Sequence, residues 1–416
     1  MNEQTNLSRR NFLMLGGGAA LTVAMAGPTA AQTAEAPAPA VEIKRKIKLG
    51  LIGCGNRGNM IAKLMIKHGG FDLFATADYF QEQADKVGET NNVSAQRRFS
   101  GLSCYKRLLA SGVEAVAIES PPYFHPEQAA AAVAAGVHVY CAKPVAVDVP
   151  GCQTIAQRAQ QATAKKLCFL VDFQTRSTPA FIEALKRVHA GDMGTITFGE
   201  GIYHADCPFT RHFDALSKDP NDSETRLRAW GLDRALSGDM ITEQNVHTLD
   251  IMNWVMQQPP ISANATGALT ARPKLGTCFD HYTGLFDYGN GVGVTFSSKQ
   301  FNGYDTIPSG IRLRMFGSQG VLEAEYGGQV LLRGEKFYNG GKTPGIYHDG
   351  VVANIATFYG NIIEGHFENI TAAPSVQSTL ITILGRTAAY RGTTVAWQQI
   401  AQSTERLEAD LRGLKD

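Results

Sequence analysis

The sequence predicts an α/β protein whose first folded part is a doubly wound parallel sheet. Two observations carry this prediction. Short apolar strands alternate with helical segments from residue 46 to about residue 172, and the first strand runs directly into a glycine-rich turn. Alternation of this kind favours parallel strands joined by crossover helices. Ligands of such sheets bind beyond the carboxyl ends of the strands, so we expect the functional residues there.

Length and composition set broad limits on organisation and partners. The chain has 416 residues, of which 44% are hydrophobic and 19% charged, so about two globular domains are expected. Lys and Arg number 39 against 38 for Asp and Glu, a net charge of +1. Nucleic acids and acidic membrane surfaces require a basic excess, so neither is expected as a partner. We expect most of the seven cysteines to be buried small hydrophobic residues.

The N-terminus has the pattern of a twin-arginine export signal. Arg9 and Arg10 precede a weakly apolar run over 13–26, which small residues follow. The run is shorter than the about 20 residues that span a bilayer, so no stable membrane anchor is expected. We therefore predict a signal peptide over 1–31, a Pro/Ala linker over 32–45, and a periplasmic or otherwise exported protein.

The glycine-rich turn predicts a dinucleotide site. A strand over 46–52 leads into Gly-Cys-Gly-Asn-Arg-Gly, and a helix follows. In this G-x-G-x-x-G pattern the first glycine makes the turn, the second lets the pyrophosphate approach, and the third lets helix and strand pack. A second strand over 71–77 ends at an acidic residue that would accept the ribose hydroxyls and favour NAD over NADP. The predicted cofactor residues here are Gly53, Gly55, Asn56, Arg57, Gly58 and Asp78.

The later strands of the parallel sheet bring further polar residues to the same edge. Strands are predicted over 115–118, 137–141 and 167–171, and helices over 127–135 and 150–165. Because parallel strands end at one edge, we expect one crevice to be faced by Asp78, Pro121, Pro122, His125 and Lys143. Gln174 and Arg176 follow the last strand and could touch the nicotinamide or the substrate.

Three motifs together carry a family resemblance. Lys143-Pro144 follows a strand, His125 stands four residues after Pro121, and an acid-x-x-x-His motif falls at Glu243 and His247. In these motifs and their order the chain resembles the glucose–fructose oxidoreductase/inositol dehydrogenase (Gfo/Idh/MocA) family over nearly its whole length after the signal.

The resemblance implies a two-domain organisation. An N-terminal Rossmann NAD-binding domain would occupy 46–172. A C-terminal α/β domain with a large, mostly antiparallel open sheet would occupy 173–416, and its last helices could pack back on the first domain. Strand patterns over 283–288, 291–298 and 311–316 fit the second sheet. In the family that sheet is a common oligomerisation face, so a homo-oligomer, a dimer or tetramer, is implied.

The resemblance also implies catalytic roles, with two departures from the family pattern. Lys143 would lie between nicotinamide and substrate, but Ala142 stands where the family usually has Glu. Lys143 would then lack an acidic neighbour, which predicts either a lysine more available as a base or a variant of the dehydrogenase reaction. Glu243 replaces the usual Asp. Its i, i+4 spacing to His247 predicts one shared helical face, with His247 as general acid/base and Glu243 orienting it or contacting the sugar.

A polar cluster in the second domain leaves three interpretations open. It comprises Tyr203, His204, Asp206, Arg211 and His212. These residues could recognise substrate hydroxyls, form a structural loop network, or bind a metal together with Cys207. Their spacing matches no standard zinc motif, so no metal is predicted.

The function that these features predict is an exported NAD-dependent oxidoreductase acting on a sugar, polyol or glycoside. An exported enzyme meets no free NAD pool, so its cofactor would stay tightly bound and be regenerated within each cycle. The alternative is a reaction without net redox, either glycoside hydrolysis of the kind catalysed by the family's NAD-dependent α-N-acetylgalactosaminidases or epimerisation. A non-catalytic binding protein is the remote alternative.

Overall fold

Two β-sheets organise the part of the chain that the structure describes. This computed structural model describes residues 42–303 and 310–416. The predicted signal over 1–31 and most of the predicted linker lie outside these ranges. Within them, no helix is long and apolar enough to cross a membrane.

The first sheet has six strands, all parallel, in the order β3-β2-β1-β4-β5-β6. The predicted doubly wound sheet is thereby confirmed. Strand β3 was not predicted, because a strand of three residues is too short to show an alternating hydrophobic pattern. The order reverses between β1 and β4, which opens a crevice at their carboxyl ends. The strands are β1 (Ile47–Ile52), β2 (Phe71–Asp78), β3 (Arg98–Ser100), β4 (Ala115–Ile118), β5 (His138–Ala142) and β6 (Phe169–Asp172).

Local signals explain where the helices of this sheet begin and end. The Asp148 carboxylate accepts a hydrogen bond from the Gly151 N–H at 2.8 Å and so caps the last of these helices. The first helix ends at Gly69, whose φ of 87° is left-handed. The helices are α1 (Asn56–His68), α2 (Gln81–Thr90), α3 (Cys104–Ala110), α4 (His125–Ala134) and α5 (Val149–Ala164).

The second sheet has nine strands in the order β14-β13-β12-β11-β7-β10-β9-β8-β15. Only the pair β7–β10 is parallel, so the predicted mostly antiparallel sheet is confirmed. The three strands predicted from alternation correspond to β9, β10 and β11, with ends shifted by one or two residues. The strands are β7 (Ile196–Ala205), β8 (Ser262–Ala268), β9 (His281–Asp287), β10 (Gly293–Gln300), β11 (Gly310–Gly317), β12 (Gly320–Glu325), β13 (Gln329–Gly334), β14 (Tyr338–Lys342) and β15 (Val395–Ala396).

The remaining helices follow β6 in the chain. One of them, α12, packs on the parallel sheet, where Ile355 and Phe358 share a buried cluster with Ile61 and Met65 of α1. All seven cysteines are buried and unpaired, as expected. The helices are α6 (Pro179–His189), α7 (Phe213–Lys218), α8 (Ser223–Arg228), α9 (Arg234–Ser237), α10 (Met240–Glu243), α11 (Val246–Met256), α12 (Ile346–Glu364), α13 (Ala372–Arg391) and α14 (Trp397–Ala401).

Candidate active site

A cavity of about 810 Å³ runs along the carboxyl ends of the parallel strands. Its volume lies in the range of ligand-binding sites. Most residues predicted from the sequence line it, and four do not: His125, Arg176, His204 and Asp206. The predicted residues that line it are Gly53, Gly55, Asn56, Arg57, Gly58, Asp78, Pro121, Pro122, Lys143, Gln174, Tyr203, Arg211, His212, Glu243 and His247.

The glycine-rich turn has the geometry that a dinucleotide requires. Gly53 has a φ of 90°, which favours glycine, and a Cβ on Gly58 would lie 1.9 Å from the Gly53 carbonyl oxygen. A Cβ on Gly55 would meet nothing within 4 Å, so open space faces this residue. No side chain caps the N-terminus of α1, which leaves its N–H groups for an anion. These residues therefore fit the pyrophosphate of NAD.

Asp78 is held in place at the other end of this site. Its Oδ2 accepts a hydrogen bond from the Cys54 N–H at 2.7 Å, and its Oδ1 accepts one from the Phe80 N–H at 2.9 Å. Burial raises the pKa of Asp78. Each oxygen keeps a lone pair for a ribose hydroxyl, so the position fits the predicted role.

Arg57 lies against two acidic side chains and does not stand free for a phosphate. Its guanidinium forms an ion pair with Asp172, at the end of β6, and its Nε lies 3.3 Å from the Glu119 Oε2. The register pairs Ala142 with Asp172 and Ile118 with Cys141, so Glu119 and Asp172 flank Ala142 on neighbouring strands. The small side chain of Ala142 thus lies between Glu119 and Asp172, the two acidic residues that Arg57 contacts.

Sequence reasoning missed Glu119. Its side chain is 0% exposed, and neither carboxyl oxygen has a hydrogen-bond partner among the described residues. Burial raises the pKa of Glu119 to about 8. An acidic residue directly after a fully apolar strand, at the edge where ligands bind, was the signal that could have identified it.

Lys143 has an acidic neighbour after all. Its Nζ donates hydrogen bonds to the Glu243 carbonyl oxygen at 2.6 Å and to the Glu243 Oε1 at 3.1 Å. The expectation that Ala142 leaves Lys143 without a carboxylate was therefore wrong. The carboxylate comes from α10, one hundred residues further along the chain, and a local motif cannot show such a contact.

Glu243 and His247 do not share a helical face, contrary to the prediction. Helix α10 ends at Glu243 and α11 begins at Val246, so the i, i+4 spacing crosses a break. His247 still lines the cavity, with its ring 5.0 Å from that of Tyr326. Its Nδ1 has no hydrogen-bond partner among the described residues. Burial and the charges of Lys143 and Arg57 lower the pKa of His247 well below its usual value, so the imidazole is neutral near pH 7.

Gln174 lines the cavity, whereas Arg176 does not. The Gln174 Nε2 donates to the Asp172 Oδ2 at 3.0 Å, and its Oε1 accepts from the Tyr326 hydroxyl at 3.2 Å, so it joins both sheets at the cavity. Arg176 instead forms two-pronged hydrogen bonds of 2.9 and 3.0 Å to the buried Asp250. Its predicted role in binding substrate is wrong, because the guanidinium is used to neutralise a buried carboxylate.

His125 is a structural residue. The prediction that it faces the crevice is wrong. Its ring is buried, with Nε2 2.8 Å from the Ser120 carbonyl oxygen and Nδ1 2.9 Å from the Pro144 carbonyl oxygen. These contacts tie the loop after β4 to the loop after β5. His125 thus positions the loops that carry Pro121 and Lys143.

The residues of the predicted polar cluster do not all face the cavity, because successive side chains of β7 point to opposite faces of the sheet. Tyr203 faces the cavity, whereas the His204 Nε2 lies 3.1 Å from the Ser297 Oγ on the neighbouring strand. Asp206 pairs with Lys299 at 3.5 Å, away from the cavity. Arg211 and His212 reach the cavity, where burial and the charges of Arg211 and Arg228 lower the pKa of His212. Within 42–303 and 310–416, no group of three His, Cys, Asp or Glu residues is placed to hold a metal ion.

Comparisons with known proteins agree with this geometry. Residues 47–170 match the oxidoreductase family with an NAD-binding Rossmann fold, and residues 181–323 match the GFO/IDH/MocA C-terminal domain. The inositol 2-dehydrogenase of Rhizobium meliloti is 23% identical over 353 residues, covering 83% of this chain and 96% of that protein.

Solved structures share the fold. The aldose–aldose oxidoreductase of Caulobacter crescentus, complexed with glycerol, has a TM-score of 0.66 at 20% identity and covers 85% of this chain and 100% of its own. A levoglucosan dehydrogenase in complex with NADH and levoglucosan has a TM-score of 0.68 at 19% identity, with the same coverage. With its two matching domains and its dinucleotide site, the chain belongs to the GFO/IDH/MocA family of NAD-dependent, sugar- and polyol-directed oxidoreductases.

Proposed function

We propose that this protein is an exported enzyme that oxidises an alcohol carbon of a sugar, polyol or glycoside and keeps its NAD bound from cycle to cycle. One observation carries the chemical part of the proposal. Lys143, Glu243 and His247 line the same cavity as the glycine-rich turn and Asp78. The inositol 2-dehydrogenase relative supports a polyol or sugar as the substrate.

The residues on the cavity can bind an alcohol and take its proton. When bound, NAD accepts hydride from an alcohol carbon and returns it to a carbonyl carbon. Two of the three N–H bonds of the Lys143 ammonium point to oxygens of Glu243, so one remains for a substrate hydroxyl. A neutral His247 imidazole can accept the hydroxyl proton. The pair of groups therefore suits reversible oxidation of an alcohol.

Export and cofactor cycling form the second part of the proposal. Arg9 and Arg10 head the predicted signal, and an exported protein would have to regenerate its NAD with a second substrate. The aldose–aldose oxidoreductase that shares the fold supports a scheme in which one aldose is oxidised and another reduced.

Assembly is the third part. We place a homo-oligomeric contact on the outer face of the nine-stranded sheet. Phe198 is 50% and Leu285 is 44% exposed, and the strand register puts both on one face together with Phe316, whose ring stacks on Phe198 at 4.3 Å. Exposed apolar side chains in one patch favour association. Light scattering of the purified protein tests this, and a monomer at all concentrations would contradict it.

Product analysis tests the reaction. The purified protein is denatured to identify its dinucleotide and, separately, incubated with single sugars, polyols and pairs of them. Formation of a lactone or ketone together with reduction of a second sugar supports the proposal.

Lys143→Ala and His247→Ala should each reduce turnover by at least about tenfold to a hundredfold, because each removes a proton-handling group. Lys86→Ala, at an exposed lysine of α2, is the matched control. Turnover that both substitutions leave unchanged would overturn the assignment.

The presence of two separate proton-handling groups favours a second candidate, a reaction without net redox. One group can serve the hydroxyl and the other the C–H bond on the next carbon, which oxidation has made acidic. Elimination and addition of water would then hydrolyse a glycoside, and return of the proton to the opposite face would epimerise the sugar. Release of the aglycone without lasting change in the reduced-nicotinamide absorbance distinguishes this candidate. A non-catalytic binding protein would transform none of these compounds.

A further inference from the structure

The end of the cavity that suits the adenosine half of NAD has a second wall outside the parallel sheet. Asp78, which marks that end, faces a segment over 207–232 that follows β7 and that we name the cover segment. Three of its residues that line the cavity are Phe209, Arg228 and Trp230. We propose that Arg228 and the C-terminal tail, residues 402–416, hold the cover segment closed over this end and so retain the bound dinucleotide between cycles.

Arg228 fastens the cover segment to the loop and helix that follow Asp78. Its Nη2 lies 2.7 Å from the Glu82 Oε1, and its guanidinium lies 3.6 Å from the centre of the Phe80 ring. It is also near enough to Asp78 for its charge to act on that carboxylate. The Arg228 side chain thus links the cover segment on one side of the adenosine end to the residues after Asp78 on the other side.

The tail makes a second fastening at the same place. The Tyr79 hydroxyl donates to the Glu224 Oε1 at 2.8 Å and accepts from the Lys415 N–H at 3.2 Å. The Leu102 N–H donates to the Lys415 carbonyl oxygen at 2.9 Å, and the Ser223 hydroxyl donates to the Arg412 carbonyl oxygen at 2.9 Å. The tail therefore joins the cover segment to the loops after β2 and β3, which form the rim of the cavity.

The cover segment has a small core of its own. Cys207, Phe209, Leu216, Ala229 and Leu232 form a buried cluster separate from the two large cores. The fastenings, in contrast, involve exposed side chains, Arg228 at 44% and Glu82 at 57%. A unit with its own core and weak exposed contacts can open without disturbing the main fold. Loading is then possible, and the fastenings set the rate of release.

The inference rests on the proposed function, because only an enzyme that regenerates its own cofactor gains from retaining it. The test measures release directly. The purified full-length protein is loaded with NADH and freed of excess ligand. It is then mixed with a large excess of NAD⁺ while the fluorescence of bound NADH is followed.

Three variants and two controls decide the outcome. Arg228→Ala removes both the cation–π contact and the ion pair, and a chain that ends at residue 403 removes the tail contacts, so each should release NADH about tenfold faster. Glu82→Gln removes the exposed ion pair alone and should release NADH about twofold to fivefold faster. If the shortened chain does not fold, Tyr79→Phe tests the same junction. Lys218→Ala and Arg406→Ala, at exposed residues of the cover segment and the tail, should leave release unchanged.

The possible results separate the two proposals. Release as slow in Arg228→Ala and in the tail variant as in the unaltered protein would overturn the cover, whatever the enzyme's reaction. Faster release in those variants, with no turnover of any sugar or polyol by the unaltered protein, would support the cover and refute the proposed function.

Discussion

Replacing Glu119 by glutamine removes a buried carboxyl at nearly constant size and should change how stability depends on pH. Burial raises the pKa of Glu119 from its ordinary value of 4.5 to about 8. Between these two pH values the carboxyl is protonated in the folded protein and ionised in the unfolded chain. Unfolding then releases a proton, so the free energy of unfolding falls as pH rises through this window.

The size of the effect follows from the pKa difference. Each unit of this pKa difference corresponds to about 1.4 kcal/mol, which gives on the order of 5 kcal/mol over the whole window. The Glu119 side chain is 0% exposed, so solvent screening does not reduce this value. The nearby Arg57 opposes the effect of burial without cancelling it.

Urea unfolding of the dinucleotide-free protein between pH 5 and about pH 8 measures the effect. Relative to the unaltered protein, Glu119→Gln should gain on the order of 1 kcal/mol of stability for each pH unit. All other titrating groups are common to both proteins and cancel in the comparison. Glu368→Gln, at an exposed glutamate, should show no such trend. A stability difference that stays constant with pH would refute the view that Glu119 is held protonated beneath Arg57.

Two further substitutions separate binding from structure. Gly55→Ala should lower the affinity for NADH by at least about tenfold without loss of stability, because its Cβ meets no protein atom but occupies the space that the pyrophosphate needs. Fluorescence titration and urea unfolding check this, and unaltered affinity would contradict it. Arg176→Ala should cost about 3–5 kcal/mol of stability, because it leaves the buried Asp250 carboxylate without its cation. The KM of the properly folded fraction should stay unchanged, and a raised KM would show that Arg176 contacts the substrate.

Local patterns in the amino-acid sequence were sufficient to predict the parallel sheet, the dinucleotide turn and the polar residues that carry the chemistry of the cavity. These features depend on local rules. Strand–helix alternation shows in the hydrophobic pattern, the spacing of Gly53, Gly55 and Gly58 reflects the turn that those glycines make, and an acid after β2 marks the ribose end. Lys143 was recognised for the same reason, since it follows a strand at a known edge of the sheet.

The tertiary structure was needed to show which ionisable groups lie against one another. Arg57 meets Glu119 and Asp172, and Lys143 meets Glu243, because strand register and a helix from the second half of the chain bring them together. Spacing along the sequence does not encode such distant contacts, and it wrongly placed Glu243 beside His247 on one helix. Whether a polar residue faces a cavity or neutralises a buried partner depends on long-range packing, so the burial of Glu119 and the contacts of the cover segment could be found only in the structure.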